Sequence, residues 1–368
     1  MEEKKLDVNS IIGFVLIFGI LIFMFYTNRP TPEEIAEKEA QQEQVDLQEA
    51  AAEADKTAPV IKAAPALDLN DSTAVANYKG QIGAFGFTAP TEGTTILENE
   101  VLFLKINNKG GEVIEAKMKN FVTYDSIPVY LIKDGNASFG LSFSTSDNRV
   151  LNTQDLFFEP SLTNANGNQV LSLKAKTSNN QYLEYRYEMK PSDYLVDFTI
   201  RTQGMDRVIN ESKPVSLDWK LKGIRHSKSI VYENRYTRLT YNHEDDKLSK
   251  LSEGSDDEEV EEQIKWISYR QHFFSTILAT DEPFKTGELS SKNLVEEESR
   301  TFGYTKEYAS VLPMEVKGGE LSKNMHFYFG PTDVDVLSNY EDLGLVVSIP
   351  FGWGIFGMIN RYVFTPFY

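Results

Sequence analysis

The side chains best suited to moving protons or holding a metal near neutral pH are four histidines, His226, His243, His272 and His326. Their spacing serves neither purpose. No two stand four residues apart and no His-Glu-x-x-His run occurs, so the sequence offers no zinc site. A Gly-x-Ser-x-Gly elbow and a Gly-x-x-x-x-Gly-Lys-Ser/Thr loop are also missing, which removes the common signals of a serine hydrolase and a nucleotide triphosphatase. The chain has no cysteine, and with it go thiol nucleophiles, disulfides, Cys-ligated zinc and iron–sulfur clusters. Asn108, Lys109, Gly110 and Gly111 look like a phosphate cradle but read as a hairpin turn that needs positive φ. The acids Asp256, Asp257, Glu258 and Glu259 lack the alternating Asp spacing and closing Glu of a calcium loop. With 55 acidic residues many carboxylate pairs are possible, and sequence does not give their separation, so there is no evidence for a glycosidase. No catalytic, cofactor-binding or metal-binding residue is assigned, and no enzyme activity is expected.

The elements that surround these residues explain the gap. At 368 residues the chain has room for about two folded units at roughly 150 residues each. Its 41% hydrophobic and 12% aromatic content is enough for a sizeable core. A net charge of −18 lacks the basic footprint that nucleic acid requires, so that partner class is excluded.

Residues 11–26 carry no charge, and 8–10 extend the stretch at small polar cost. At about 1.5 Å per residue this crosses a hydrocarbon core of about 30 Å. The stretch runs into Tyr26, Thr27, Asn28, Arg29 and Pro30 rather than small residues, which reads as an uncleaved signal anchor. Lys4 and Lys5 before it balance Arg29 and Lys38 after it, so charge alone gives no orientation. Residues 31–76 are rich in Ala, Glu and Gln and contain no aromatic, the composition of a spacer with a frayed helix after Pro32 and an extended part after Asp55.

From Tyr78 the dominant period becomes two. Val215, Leu217, Trp219 and Leu221 alternate with polar residues, as do Val196, Phe198 and Ile200, then Phe139, Leu141 and Phe143, and Leu171, Leu173 and Ala175. Turn chemistry separates the runs at 107–111, 134–136, 164–168 and 178–180. No clear amphipathic helix precedes residue 260, so the expected fold is mainly β, a large antiparallel sandwich rather than an α/β fold. The charged stretch 243–263 is expected as a solvated loop. After Asp342 the composition turns apolar and aromatic with one charge, Arg361, as expected of a helix lying at a membrane interface. The stop at Tyr368, inside an apolar stretch, reads as a cut before a further span.

This arrangement resembles the front part of the YidC family of bacterial membrane protein insertases. Specific motifs add to the layout. The turn 107–113 followed by Met118-Lys119-Asn120-Phe121 is similar to the family's glycine-rich turn and the strand after it. Trp266-Ile267, Phe273-Phe274 and then Phe327-Tyr328-Phe329-Gly330-Pro331-Thr332-Asp333 resemble its Trp-containing segment and the end of its Tyr-x-Gly-Pro strand. Asp342-Leu343-Gly344 looks like the approach to its first core span. The resemblance implies a cytoplasmic amino terminus at 1–7, a transmembrane anchor at 8–28, an acidic tether at 29–77, a periplasmic β-supersandwich like those of mutarotases at 78–342, and an interfacial aromatic helix at 343–368. It further implies localisation in the inner membrane and non-covalent assistance to the insertion and folding of inner-membrane proteins, alone or with the Sec translocon. The partners it implies are nascent membrane proteins, Sec and the lipid bilayer, with no cofactor. The five-span core that carries the family's polar groove is not in this sequence, so no groove residue is transferred. Trp353, Phe356, Tyr362 and Phe364 are the expected membrane contacts, and Trp266, Phe273 and Phe274 a partner surface that competes with core packing for the same rings. The alternatives are a membrane-anchored carbohydrate-binding or mutarotase-like sandwich and a structural envelope protein.

Overall fold

The computed structural model describes residues 67–349 apart from 245, 299–302 and 319. The expected anchor at 8–28, most of the tether, and Trp353, Phe356, Tyr362 and Phe364 lie outside the described residues. No helix among the described residues is long and apolar enough to cross a membrane.

Two antiparallel sheets make up the described unit, which is mainly β. The smaller has four strands in sequence order, β1 (Thr94–Glu98), β2 (Leu102–Asn107), β3 (Val113–Val122) and β4 (Pro128–Ile132). The larger has thirteen. It is built from β5 (Ala137–Ser144), β6 (Val150–Asn152), β7 (Glu159–Ala165), β8 (Asn168–Ser178), β9 (Gln181–Met189), β10 (Leu195–Gln203), β11 (Val215–Ile224), β12 (Arg238–His243), β13 (Lys247–Lys250), β14 (Asp257–Gln271), β15 (Phe274–Asn293), β16 (Tyr304–Met314) and β17 (Ser322–Pro331). Their order is β6-β5-β11-β16-β15-β17-β10-β9-β8-β7, with β14 also on β15 and β12 between β14 and β13. Among the described strands, the block β10-β9-β8-β7 pairs with the rest of its sheet only through β17.

Alternation sorts the side chains. Leu217, Trp219 and Leu221 of β11, Phe139, Leu141 and Phe143 of β5, and Phe198 and Ile200 of β10 are buried in one core with Leu102, Leu104, Ile106, Ala116 and Met118 of the small sheet. Each such side chain removed from water contributes roughly 1.5–3 kcal/mol. At the centre Tyr269 stacks between Trp219 and Tyr308, with ring centroids 3.8 Å and 5.0 Å away. The Tyr269 hydroxyl donates to the Trp219 carbonyl at 3.1 Å and meets the buried Ser310 Oγ at 2.6 Å.

Neighbouring residues on the same strands face the other way. Leu195, Trp266, Ile277, Ala279 and Tyr328 form a second cluster, covered by Leu337 and Leu345 of the segment after β17. There Asp333 caps α3 (Val334–Leu337) by accepting from the amides of Asp335 and Val336. Tyr340 donates to Asp193 at 2.6 Å. Residues 343–349, expected to open an interfacial helix, are in 3-10 turns on this cluster as far as they are described.

Two expectations about local structure fail. Residues 72–82 form helix α1 (Ser72–Ile82), capped by Asp71, whose carboxylate accepts from Thr73 N at 2.8 Å; strands begin only at Thr94. The helix buries only Ile82, and so leaves no amphipathic stripe in the sequence. The acidic stretch 243–263 is mostly strand rather than loop. Asp257 to Glu262 pair with Ser291 to Thr286 of β15, and β13 pairs with β12. Among the described elements nothing pairs with the outer side of this part of β14, so both faces hold charge and the period of two is lost. Charge along such an edge discourages edge-to-edge association.

Candidate interaction site

Three connections meet at one end of the unit. The first is the β3–β4 turn, closed by Thr123 N donating to the Ile127 carbonyl at 2.8 Å and by Thr123 Oγ1 on Asp125, with Ser126 at φ 64°. It exposes Val122, Tyr124 and Ile127.

The second runs from Arg225 to Thr237 and contains α2 (Ile230–Asn234). Ser229 caps α2 by accepting from Tyr232 N at 3.1 Å, and Glu298 accepts from the Ser229 hydroxyl at 2.8 Å. Fully buried Glu233 organises the turn from inside, accepting from His226 N at 2.9 Å and Ser227 N at 2.7 Å. Burial pushes its carboxyl above the ordinary range. His226 is buried too, and burial holds its imidazole below its ordinary value, so it is neutral at pH 7 and its Nε2 donates to the Tyr130 carbonyl at 2.8 Å. That bond also covers a carbonyl of β4, an edge strand of the small sheet.

The third is the β14–β15 hairpin. Gln271 pairs with Phe274, leaving His272 and Phe273 as a two-residue turn, with His272 at φ 59° where glycine is usual. The His272 ring is fixed by Ser227 Oγ at 3.1 Å from Nδ1 and by stacking on Tyr236 at 5.3 Å and Phe273 at 3.7 Å. Burial, then the nearby Arg270 and His226, lower its pKa to about 4, so it acts as a neutral ring. Tyr232 stands 6.0 Å from it edge-on.

Beside these loops a cleft of about 340 Å³ lies between Tyr124, Ile127, Tyr130, Lys133, Arg225 and Tyr304. The Lys133 ammonium sits 4.6 Å from the Tyr130 ring centre, and Arg225 donates to the Tyr124 hydroxyl at 3.3 Å. Rings and two cations make this a surface suited to binding. His243 and His326 lie elsewhere, His243 on Ser249 and Glu261, His326 between Asp197 and Asp281.

Of the three rings read from the sequence as a partner surface, only Phe273 is open, 64% exposed at the hairpin tip. Trp266 at 2% belongs to the second cluster and Phe274 at 6% to the core. Phe274 packs edge-on against Phe121 at 5.2 Å. Tyr124, Ile127, Tyr232 and Tyr236 were not anticipated. The one signal they left is three tyrosines or arginines in five positions at Tyr232, Arg235 and Tyr236, close after Arg225 and Lys228.

A family profile described as the YidC periplasmic domain matches residues 95–366, most of the chain and nearly all of its β unit. The chain belongs to the YidC family. It is 33% identical to the membrane protein insertase YidC of Parabacteroides distasonis, an alignment covering 99% of this chain and 59% of that relative. With the YidC of Porphyromonas gingivalis strain ATCC 33277 the identity is 29%, over 98% of this chain and 58% of the relative. The chain thus spans under three fifths of the length of these YidC proteins. The relatives carry the name of an insertase, not of an enzyme. A crystal structure of an active YidC insertase with its first transmembrane domain resolved aligns at 12% identity and a TM-score of 0.38, over 80% of this chain and 54% of that one.

Proposed function

We propose that this chain is the membrane-anchored front part of a YidC insertase. In this reading residues 1–7 are cytoplasmic and 8–28 cross the inner membrane. The tether 29–77 leads to a periplasmic β-supersandwich at 78–342, and 343–368 bring Trp353, Phe356, Tyr362 and Phe364 to the bilayer. The chain assists insertion and folding of inner-membrane proteins, alone or with the Sec translocon, by non-covalent binding. The observation that carries this is the match to the YidC periplasmic domain together with relatives aligned over nearly the whole chain.

Site-specific photocrosslinking in cells tests it. A photoreactive residue at Lys133, on the cleft beside the aromatic end, in the native-length gene product is expected to give adducts with newly made inner-membrane proteins and with Sec subunits. Adducts no more frequent than those from a control at Leu162, in a chain that is folded and membrane-bound, would refute it.

A further inference from the structure

The described residues expose twelve large apolar or aromatic side chains, and six of them, Val122 at the end of β3 and Tyr124, Ile127, Tyr232, Tyr236 and Phe273 in the three connections, lie at one end. The others are distributed over β1, β6, β7, β13, β14 and the turn at Phe87. Half of the exposed apolar set therefore gathers on one surface, a concentration that marks an interaction site. The surface is continuous. Tyr124 N bonds the His226 carbonyl at 3.4 Å, Ser227 reaches His272, and the His272 ring touches Tyr232, Tyr236 and Phe273. It is also held firmly, because a tight two-residue turn presents Phe273 and a buried carboxylate braces the loop that carries the tyrosines.

Its chemistry is that of a membrane interface. Tyrosine joins an apolar ring to a polar tip and suits the headgroup boundary, where phenylalanine can enter the acyl region. Within the three loops the exposed or part-exposed charges are Arg225, Lys228 and Arg235 against Asp125, in a chain of net charge −18. Glu296, Glu297 and Glu298 flank the patch on one side, and Glu298 is engaged at Ser229 and Ile230. Aromatic rings with cations between them complement the anionic face of a bilayer. Proximity is available as well: Thr332, where the chain leaves β17 toward its aromatic carboxy-terminal segment, donates to the Phe273 carbonyl at 2.6 Å.

We infer that this end of the β unit docks on the membrane, with Phe273, Tyr232 and Tyr236 in the interface and Arg225, Lys228 and Arg235 against anionic headgroups. The inference rests on the reading of the chain as membrane-anchored, and adds a contact outside both the anchor and the residues after 349. It fixes an orientation, with the aromatic end toward the bilayer.

The absence of cysteine makes the test clean. Full-length chains carrying Phe273→Cys, Tyr232→Cys or Leu162→Cys are spin-labelled and reconstituted in vesicles of phosphatidylethanolamine with about one third phosphatidylglycerol. Flotation with the vesicles is scored first, then the accessibility of each label to a water-soluble nickel chelate and to oxygen. The expected result is that labels at 273 and 232 lose several-fold of their nickel accessibility and gain oxygen accessibility relative to 162, and lose that difference in vesicles of phosphatidylcholine at high salt. Labels at 273 and 232 as open to nickel as 162, in chains that float, would overturn the docking and leave the anchor standing. Labels shielded from both nickel and oxygen would overturn it in favour of a protein partner. Chains that fail to float would overturn the anchored reading itself.

Discussion

The stacked rings at the centre of the core allow a sharp test of how this fold is held together. Tyr269 is fully buried between Trp219 and Tyr308, and burial raises its hydroxyl pKa far above the ordinary value, so the proton stays in place to donate to the Trp219 carbonyl. Ser310, also buried, uses the same oxygen. Tyr269→Phe keeps the ring and the stack but leaves that carbonyl and hydroxyl short of a partner, which costs about 1–3 kcal/mol. Tyr269→Ala also removes the ring and opens a cavity, for a total of about 3–5 kcal/mol. Urea unfolding of the full chain in mild detergent, followed through tryptophan fluorescence, measures both, since Trp219 lies 3.8 Å from the ring that is altered. The wild type, Phe and Ala forms should unfold in that order of falling urea midpoint. A Phe form within about 0.5 kcal/mol of wild type would show that the hydroxyl is hydrated or idle. A Phe form as weak as the Ala form would show that ring stacking contributes nothing beyond the hydrogen bonds.

Two further outcomes follow from turn geometry and from charge. Gly111→Ala should lower the thermal midpoint well beyond Gly167→Ala: both glycines have positive φ, but a Cβ at 111 falls 2.8 Å from the buried Tyr185 ring while one at 167 meets nothing within 4 Å. The backbone term is about 1–2 kcal/mol in each and overpacking adds about 1–3 at 111 only, so equal shifts would contradict the packing. His326 loses some protonation to burial, but Asp197 and Asp281 at 2.8 and 2.9 Å outweigh that and raise its pKa above the ordinary 6.5. Its ion pairs therefore stabilise the fold fully below about pH 6.5 and fade as pH rises through the higher folded value. The midpoint difference between wild type and His326→Gln should shrink from pH 6 to pH 9; a difference that grows with pH would reverse the assignment.

Where one face of a strand is buried and the other wet, the sequence was readable. The alternating runs at 215–221, 196–200, 139–143 and 171–175 fall on β11, β10, β5 and β8, and Asn166-Gly167 is the turn that joins β7 to β8, with both residues at positive φ. Edge segments hid themselves because both of their faces meet water: the acidic half of β14 and the all-exposed β7 show no period of two. The helix at 72–82 is made by a cap and local propensity, with one buried residue, and periodicity could not report it. Trp266 and Phe274 were ambiguous because ring content says nothing about which face a strand turns inward. The aromatic end was least legible, since Tyr124, Tyr232 and Phe273 come from connections about 108 and 41 residues apart and only the pairing of strands brings them together.

The position of β17 sets a timetable for synthesis. It is the last of the described strands to be made and yet it lies in the interior of the large sheet, joined on one side to β10 and on the other to β15. A growing chain that has not yet delivered residue 322 can hold two partial sheets but cannot unite them, and each presents an unpaired inner edge rich in apolar side chains. Hairpins such as β8–β9 close early; the whole must wait for the final strand, as expected of folds dominated by distant pairings. By the time the unit locks, the residues that follow it are already leaving the ribosome, so completion of the β unit and handling of the next apolar segment fall in the same interval. A chaperone that guards the β10 and β15 edges during that interval would do more for the yield of this protein than one that guards any outer strand.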